Sequence, residues 1–305
     1  MWTKENIPDQ TGKTAIVTGA NTGVGYETAL ALYETGAHVV LACRDLGKAE
    51  NARTKLLALK GKGSLETAVL DLSDLASVQQ FADAFLQQHK ALHVLINNAG
   101  VMNAGKMAPL AAKTAQGYEQ QFGVNFLGHF ALTGRLYPLL NVTSGARIVT
   151  LSSMAYLRGV IDFDNLRSEN SYDAMREYAQ SKLADLLLSL ELHRRITAAG
   201  DQVLSIAAQP GANKTELIRH MTDEELTAGI ARVGPLMDPW QGALPSLYAA
   251  LSPEATGGNL YEPDNGGYRG YPTLATLKEN ALDEKAAKKL WDWAEEVTGV
   301  RYPVQ

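Results

Sequence analysis

From residue 14 onward, short apolar runs rich in β-branched residues alternate with longer stretches whose apolar positions recur at helical spacing. Runs at 14–18, 38–42, 65–70, 92–96, 147–151, 203–207 and 259–261 predict strands. Helices are predicted near 24–35, 46–60, 74–89, 115–137, 172–199 and 283–297. In the last of these, Leu290, Trp291, Ala294 and Val297 share one face, which reads as core or subunit packing. A β-α-β-α rhythm predicts a parallel sheet covered by helices on both faces. Right-handed crossovers then make it a doubly wound α/β sheet of about seven strands. No repeat, Pro/Ser-rich linker or composition break divides the chain, so residues 1–305 read as a single domain.

Two stretches fall outside the rhythm. Residues 154–172 separate a strand from the long helix and exceed an ordinary loop. Residues 211–238 follow a strand end and include the acidic, helix-like Thr222-Asp223-Glu224-Glu225-Leu226. A doubly wound sheet binds ligands at the carboxyl ends of its strands, which makes both stretches candidates for covering a substrate. Surface decoration is the competing reading for 154–172; 211–238 reads as a mobile lid.

Composition narrows the class. An apolar fraction of 46% with 20% charged residues is that of a globular protein with ample core material. The net charge of −5 and the lack of a dense basic run exclude nucleic acid as the main partner. Cys43 is the single cysteine, so no internal disulfide forms, and a cytoplasmic location is expected. The first ten residues are polar, with no apolar signal-like core, and no run of eighteen apolar residues predicts a membrane span. His38, His129 and His193 form no H-x-x-x-H or Cys/His pattern, so no metal site is expected.

Chemistry enters at two places. Thr18-Gly19-Ala20-Asn21-Thr22-Gly23-Val24-Gly25 follows the first strand and opens the first helix. Glycines there permit a tight turn and close backbone approach to a pyrophosphate, which the helix N-terminus favours through its free N–H groups and dipole. Tyr178 and Lys182, in Tyr178-Ala179-Gln180-Ser181-Lys182, stand one turn apart on the long helix and share a face. A phenol, with an ordinary pKa near 10, is a poor acid or base near neutrality; a neighbouring ammonium favours its phenolate. One buried ring and one solvated charge is the bland alternative for such a pair.

The T-G-x-x-x-G-x-G turn with the later Y-x-x-x-K resembles the short-chain dehydrogenase/reductase superfamily. The resemblance runs on through Asn97-Asn98-Ala99-Gly100, Asn125 in Val124-Asn125-Phe126-Leu127-Gly128, Ser152-Ser153, and Pro210-Gly211 with Thr215. It implies a Rossmann fold and an NADP(H)- or NAD(H)-dependent oxidoreductase acting on a small carbonyl or alcohol. Asn125, Ser153, Tyr178 and Lys182 are the implied catalytic set. Gly19, Asn21, Thr22, Gly23, Val24, Gly25, Arg44, Asp71, Leu72, Asn98, Ala99, Gly100, Tyr178, Lys182, Pro210, Gly211 and Thr215 are the implied cofactor contacts. Tyr178 would exchange the proton, Ser153 would hydrogen-bond the substrate oxygen, Lys182 would hold the nicotinamide ribose, and Asn125 would place a water. Homodimers or homotetramers through the helices carrying Asn125 and Tyr178 are common in the superfamily.

Cofactor choice turns on the end of the second strand. NAD-preferring enzymes usually place a carboxylate there; this chain has Cys43 followed by Arg44, whose guanidinium suits a 2′-phosphate and favours NADP(H). A surface Arg44 paired with Asp45 is the competing reading. Asp71 matches a position that contacts adenine, or else caps the helix beginning nearby.

The 25-residue interval from Ser153 to Tyr178, together with Val40-Leu41-Ala42-Cys43-Arg44 and Gly117-Tyr118-Glu119-Gln120-Gln121-Phe122-Gly123-Val124-Asn125, is similar to the retinol-dehydrogenase-like branch. The chain looks like a soluble, bacterial-type relative, with Ser153 and not Ser152 as the active hydroxyl and a lipophilic substrate. Gln209 departs from the family, where histidine is common before Pro-Gly. A non-catalytic dinucleotide-binding regulator of the same fold would be expected to lose Tyr178 or Lys182, and both are present.

Overall fold

The computed structural model describes residues 1–103 and 112–304. Eight strands form one sheet: β1 (Thr14–Thr18), β2 (His38–Cys43), β3 (Ser64–Val69), β4 (Val94–Asn97), β5 (Arg147–Leu151), β6 (Leu204–Ala208), β7 (Leu260–Asn265) and β8 (Arg269–Leu274). Their order is β3-β2-β1-β4-β5-β6-β7-β8, parallel throughout except for the antiparallel β7–β8 pair. The order reverses between β1 and β4, which places the crevice of a doubly wound sheet off those strand ends.

Strand alternation sorts the core into two layers. Ile16 and Leu95 face one layer, whereas Ala15, Val17, Val94 and Ile96 face the other. The first is closed by α3 (Leu75–Gln88), α5 (Gly128–Val142), α6 (Ala174–Ala199) and α9 (Glu284–Thr298), through Phe81, Phe130, Leu187 and Trp291. The second is closed by α1 (Gly23–Glu34), α2 (Leu46–Ala58) and α8 (Pro239–Leu251), through Leu32, Leu56 and Leu247. Because both faces are covered, the strands carry apolar side chains in unbroken runs.

Three differences from the expected elements have physical causes. The eighth strand lies in Arg-Gly-Tyr-Pro-Thr-Leu, where Gly270 and Pro272 mask the strand pattern; as the edge strand it tolerates a proline. Helix α8 contains Gly242 and Pro245, both poor helix formers, yet most of it is buried, and packing prevails over propensity. Gly242 is required by close approach: a Cβ there would lie 2.3 Å from Asn213 Oδ1. The helix predicted from 115 begins instead with α4 (Gln120–Phe122), capped by Glu119, and passes through a π-helical turn (Gly123–Leu127) into α5.

Helix α9 settles on α5 and α6. Trp291 is fully buried, with its ring 5.1 Å from Phe130 and 4.5 Å from Tyr302. Tyr302 in turn donates to Phe130 O (2.7 Å). Part of the outer surface of α5 and α6 is thus covered by the chain's own C-terminal segment.

Candidate active site

The glycine turn is shaped for something that needs backbone close at hand. Gly19 (φ 65°) and Gly23 (φ 59°) occupy left-handed conformations. A Cβ on Gly25 would lie 2.4 Å from Asn98 Nδ2 and 2.6 Å from Gly19 O, so nothing larger than glycine fits without displacement. Thr215, after β6, reaches across the turn, its Cγ2 3.1 Å from where a Cβ of Gly23 would be. The first turn of α1 receives no side-chain cap from Thr22, which leaves its N–H groups and the positive end of its dipole facing the crevice. An anionic, phosphate-bearing group fits that cradle.

Asn98-Ala99-Gly100 is pinned to the same turn. Asn98 Nδ2 donates to Thr18 O (2.7 Å), and the N–H groups of Asn98 and Ala99 both donate to Thr18 Oγ1 (2.9 Å each). Gly100 then faces the catalytic candidates. A Cβ on it would stand 3.5 Å from Asn125 Oδ1 and 3.6 Å from Lys182 Nζ.

Helix α6 begins at a cap, Asp173 accepting from Arg176 N (2.8 Å), and carries Tyr178 and Lys182 buried on its inner face. Tyr178 packs with Ala155, Ala179 and Met102. Lys182 Nζ donates to Leu151 O (2.9 Å) at the end of β5 and to Asp185 Oδ2 (2.7 Å). Burial disfavours the Lys182 ammonium, but the carboxylate of Asp185 and the charge of a Tyr178 phenolate outweigh it and hold its pKa above the ordinary lysine value. Burial raises Asp185 to about 6 against the pull of Lys182.

The two serines part as strand alternation predicts. Ser152 is buried and donates to Lys182 O (2.7 Å), a structural bond that ties β5 to α6. Ser153 is partly exposed; its Oγ accepts from Ala155 N (3.2 Å), in the segment that packs on Tyr178.

Asn125 sits in the π turn with its amide almost fully used. Its Oδ1 accepts from Val101 N (2.8 Å), while Nδ2 donates to Val101 O (3.1 Å) and Ser181 Oγ (2.9 Å). Its carbonyl is engaged by His129 Nδ1 (2.7 Å), and His129 Nε2 lies 2.9 Å from Thr18 Oγ1. Because the Asn125 carbonyl can only accept, Nδ1 carries the ring proton, and Nε2 accepts from the Thr18 hydroxyl, which also has Ile96 O within 3.3 Å. Burial pushes His129 down to about 3, so the imidazole is neutral. His129 and Asp185 are support residues that the sequence reading passed over. The signals were a histidine four residues after Asn125 and an acid three residues after Lys182, each one helical turn from its partner.

Near the end of β2, Cys43 is buried and its thiol is pushed up to about 11 by burial, which leaves it inert. Arg44 is exposed, and no ion pair ties it to Asp45, whose carboxylate accepts from Lys48 N (3.0 Å) as the cap of α2. Asp71 shapes its own turn, accepting from Ser73 N (2.9 Å) and Ser73 Oγ (2.6 Å); Asp74 caps α3 instead. Leu72 is buried, with its carbonyl against Gly128 at the start of α5. Gln209 anchors the Pro210-Gly211 turn, accepting from Gly211 N (2.9 Å) and donating to Gly267 O (2.6 Å) between β7 and β8.

The stretch 154–172 starts as a 3-10 turn (Met154–Arg158) and is held to α6 by Asp162 N donating to Gln180 Oε1 (2.6 Å). Within 211–238, α7 (Asp223–Val233) has a capping box and buries none of its residues. Its Leu226, Ile230 and Val233 form a half-buried stripe at helical spacing.

Strand register also gathers a group of possible ligand residues that no pattern along the chain shows. His38 and Glu66, on adjacent parallel strands, come together with His89 at the end of α3, far from one another in sequence.

A family profile described as short chain dehydrogenase matches residues 13–226. Human retinol dehydrogenase 12 is 38% identical over 296 residues, covering 95% of this chain and 88% of its own. An uncharacterized protein from Mycobacterium paratuberculosis superposes with a TM-score of 0.82 at 37% identity over 99% of each chain. The RhlG/NADP active-site complex of Pseudomonas aeruginosa gives a TM-score of 0.68 at 26% identity, covering 85% of this chain and 97% of that one. Among the described residues, no helix is long and apolar enough to cross a membrane.

Proposed function

The chain belongs to the short chain dehydrogenase family as a retinol-dehydrogenase-like oxidoreductase, and on that premise we propose that it is an NADP(H)-dependent reductase or dehydrogenase of lipophilic carbonyls and alcohols. The observation that carries the proposal is the convergence of Asn125 Oδ1 and Lys182 Nζ on Gly100, with Tyr178 one helical turn from Lys182. Gly19, Gly23 and Gly25 would cradle the pyrophosphate, with Asn21, Thr22 and Val24 supplying the turn and the first N–H groups. Asn98, Ala99, Pro210, Gly211 and Thr215 would border the same crevice, and Asp71 and Leu72 its adenine end. Arg44, exposed and unpaired with Asp45, would meet the 2′-phosphate.

Bound NADPH supplies the hydride to the carbonyl carbon, and NADP⁺ accepts it in reverse. As charge grows on the carbonyl oxygen, Tyr178 Oη gives it a proton and Ser153 Oγ donates a second hydrogen bond. Lys182 holds the ribose side and stabilises the phenolate that Tyr178 leaves. Asn125, fixed through Val101, Ser181 and His129, keeps the proton route beside Lys182 in place. We read residues 1–305 as one such domain, with 154–172 and 211–238 closing over the substrate. The apolar stripe of α7 favours a substrate with an apolar body, and the similarity to human retinol dehydrogenase 12 points toward retinol-like alcohols or their aldehydes. Turnover of NADPH over aliphatic, aromatic, terpenoid and steroid carbonyls, repeated with NADH, tests this. Consumption of NADPH with apolar aldehydes or ketones is expected, with the preference over NADH lost in Arg44→Ala. A strong NADH preference would overturn the role of Arg44, and inertness across the panel would overturn the activity.

A further inference from the structure

We propose that His38, Glu66 and His89 form a binding site for one divalent transition-metal ion, Zn²⁺ foremost, at the end of the sheet opposite Tyr178. His38 opens β2, Glu66 lies on the same face of neighbouring β3, and His89 ends α3. One atom from each, two imidazole nitrogens and a carboxylate oxygen, falls within 4.8 Å of the others. Two imidazoles and a carboxylate are a donor set of borderline softness that suits Zn²⁺ and leaves a fourth position open.

Two of the three donor spacings are those of a coordination polyhedron. At bond lengths of about 2.0–2.1 Å, ligand atoms of a tetrahedron stand about 3.3 Å apart. Glu66 Oε2 lies 3.1 Å from His38 Nε2 and 3.2 Å from His89 Nε2. The first contact is a hydrogen bond, which an ion would replace, whereas the second is not one: His89 Nε2 is buried and has no hydrogen-bond partner. A ring nitrogen that close to a carboxylate, yet not aimed along the line between them, is what lone pairs converging on a shared third point require.

Supporting contacts fix the donors. His38 Nδ1 lies 2.7 Å from Ser64 Oγ; with an ion bound, a proton on Nδ1 donated to that hydroxyl would leave the lone pair of Nε2 for the metal. Phe85 stacks on His89 with centroids 4.3 Å apart and planes 19° from parallel, which holds its ring. A surface cleft of about 390 Å³ lined by Lys13, His38, Lys62 and Ser64 reaches the cluster at His38. An ion here would clip β2, β3 and the end of α3 together at the edge of the sheet.

The test uses full-length protein without a polyhistidine tag, stripped with chelator and titrated with Zn²⁺ and Co²⁺. One-to-one binding, a rise in melting temperature, and a Co²⁺ spectrum of low coordination without a thiolate band are expected. His38→Ala, His89→Ala and Glu66→Gln should remove the binding and the rise, and Ser64→Ala should weaken it about tenfold or more. His220→Ala, at a histidine that follows β6 and lies outside the cluster, should change neither. Retained melting without metal certifies that each variant is folded; if an alanine variant does not fold, His89→Gln takes its place. Absence of one-to-one binding in the wild type, or equal binding after loss of either histidine, overturns the site.

Discussion

Gly25→Ala is the perturbation whose consequence can be worked most directly from distances. Its Cβ would stand 2.4 Å from Asn98 Nδ2, 2.6 Å from Gly19 O and 3.1 Å from Gly19 C, all well inside contact range. The obstacle on one side is backbone, so the strain cannot be released by rotating a side chain. On the other side Asn98 must move, losing its bond to Thr18 O (2.7 Å). Overpacking typically costs about 1–3 kcal/mol, and a lost hydrogen bond about 1 kcal/mol, which gives about 2–4 kcal/mol in all. Relief requires the Gly19 turn to shift, and that turn is the proposed pyrophosphate cradle. If half of the strain persists in the bound state, affinity for NADPH falls by about 5- to 30-fold. Fluorescence titration of NADPH and chemical denaturation of the same variant measure both effects. Gly229→Ala is the matched control: it lies in α7, a Cβ there meets nothing within 4 Å, and it should stabilise the helix by up to about 1 kcal/mol. Unchanged stability and unchanged NADPH affinity in Gly25→Ala would refute the close-approach argument.

Three further outcomes follow from buried groups. Glu119 is 1% exposed and burial raises its pKa from 4.5 to about 7, so the stability its protonated form contributes is full below pH 4.5 and is lost as pH rises through 7. Glu119→Gln keeps an acceptor for Phe122 N and removes the titration; its melting temperature relative to wild type should climb between pH 4.5 and 7, by the equivalent of about 3 kcal/mol, and a pH-independent difference would contradict this. Asp185→Ala leaves the Lys182 ammonium buried without its carboxylate and should cost about 3–5 kcal/mol in urea denaturation, most of it recovered in the Asp185→Leu/Lys182→Met double variant. Trp291→Ala empties the contact of α9 with Phe130 and Tyr302 and should cost about 3–5 kcal/mol, read by the same assay.

What could be read along the chain was whatever repeats at short range. The β1 turn announces itself because three glycines within seven residues follow an apolar run, and Tyr178 and Lys182 because one helical turn separates them. Boundaries of β1 and β5 came out at 14–18 and 147–151, where the apolar runs end sharply in a glycine turn and a serine pair. The edge strand β8 and helix α8 did not, since Gly270, Pro272, Gly242 and Pro245 carry breaker signals that burial and edge position override. The partners of the site residues were hidden for another reason. His129 acts through Thr18, more than a hundred residues away, and Asp185 shows its role only once Lys182 is known to be buried. His38, Glu66 and His89 meet through the β2–β3 register, which no local spacing records.

The claim at the centre of the account is that Tyr178 exchanges the substrate proton in a crevice built to hold NADP(H). Tyr178→Phe removes the hydroxyl and keeps the ring that packs on Ala155 and Met102. Measured on one preparation, with a carbonyl that the wild type reduces, NADPH should bind within about twofold of wild type. Turnover should fall by about 10²–10⁴-fold. Undiminished reduction by the phenylalanine variant would contradict the account.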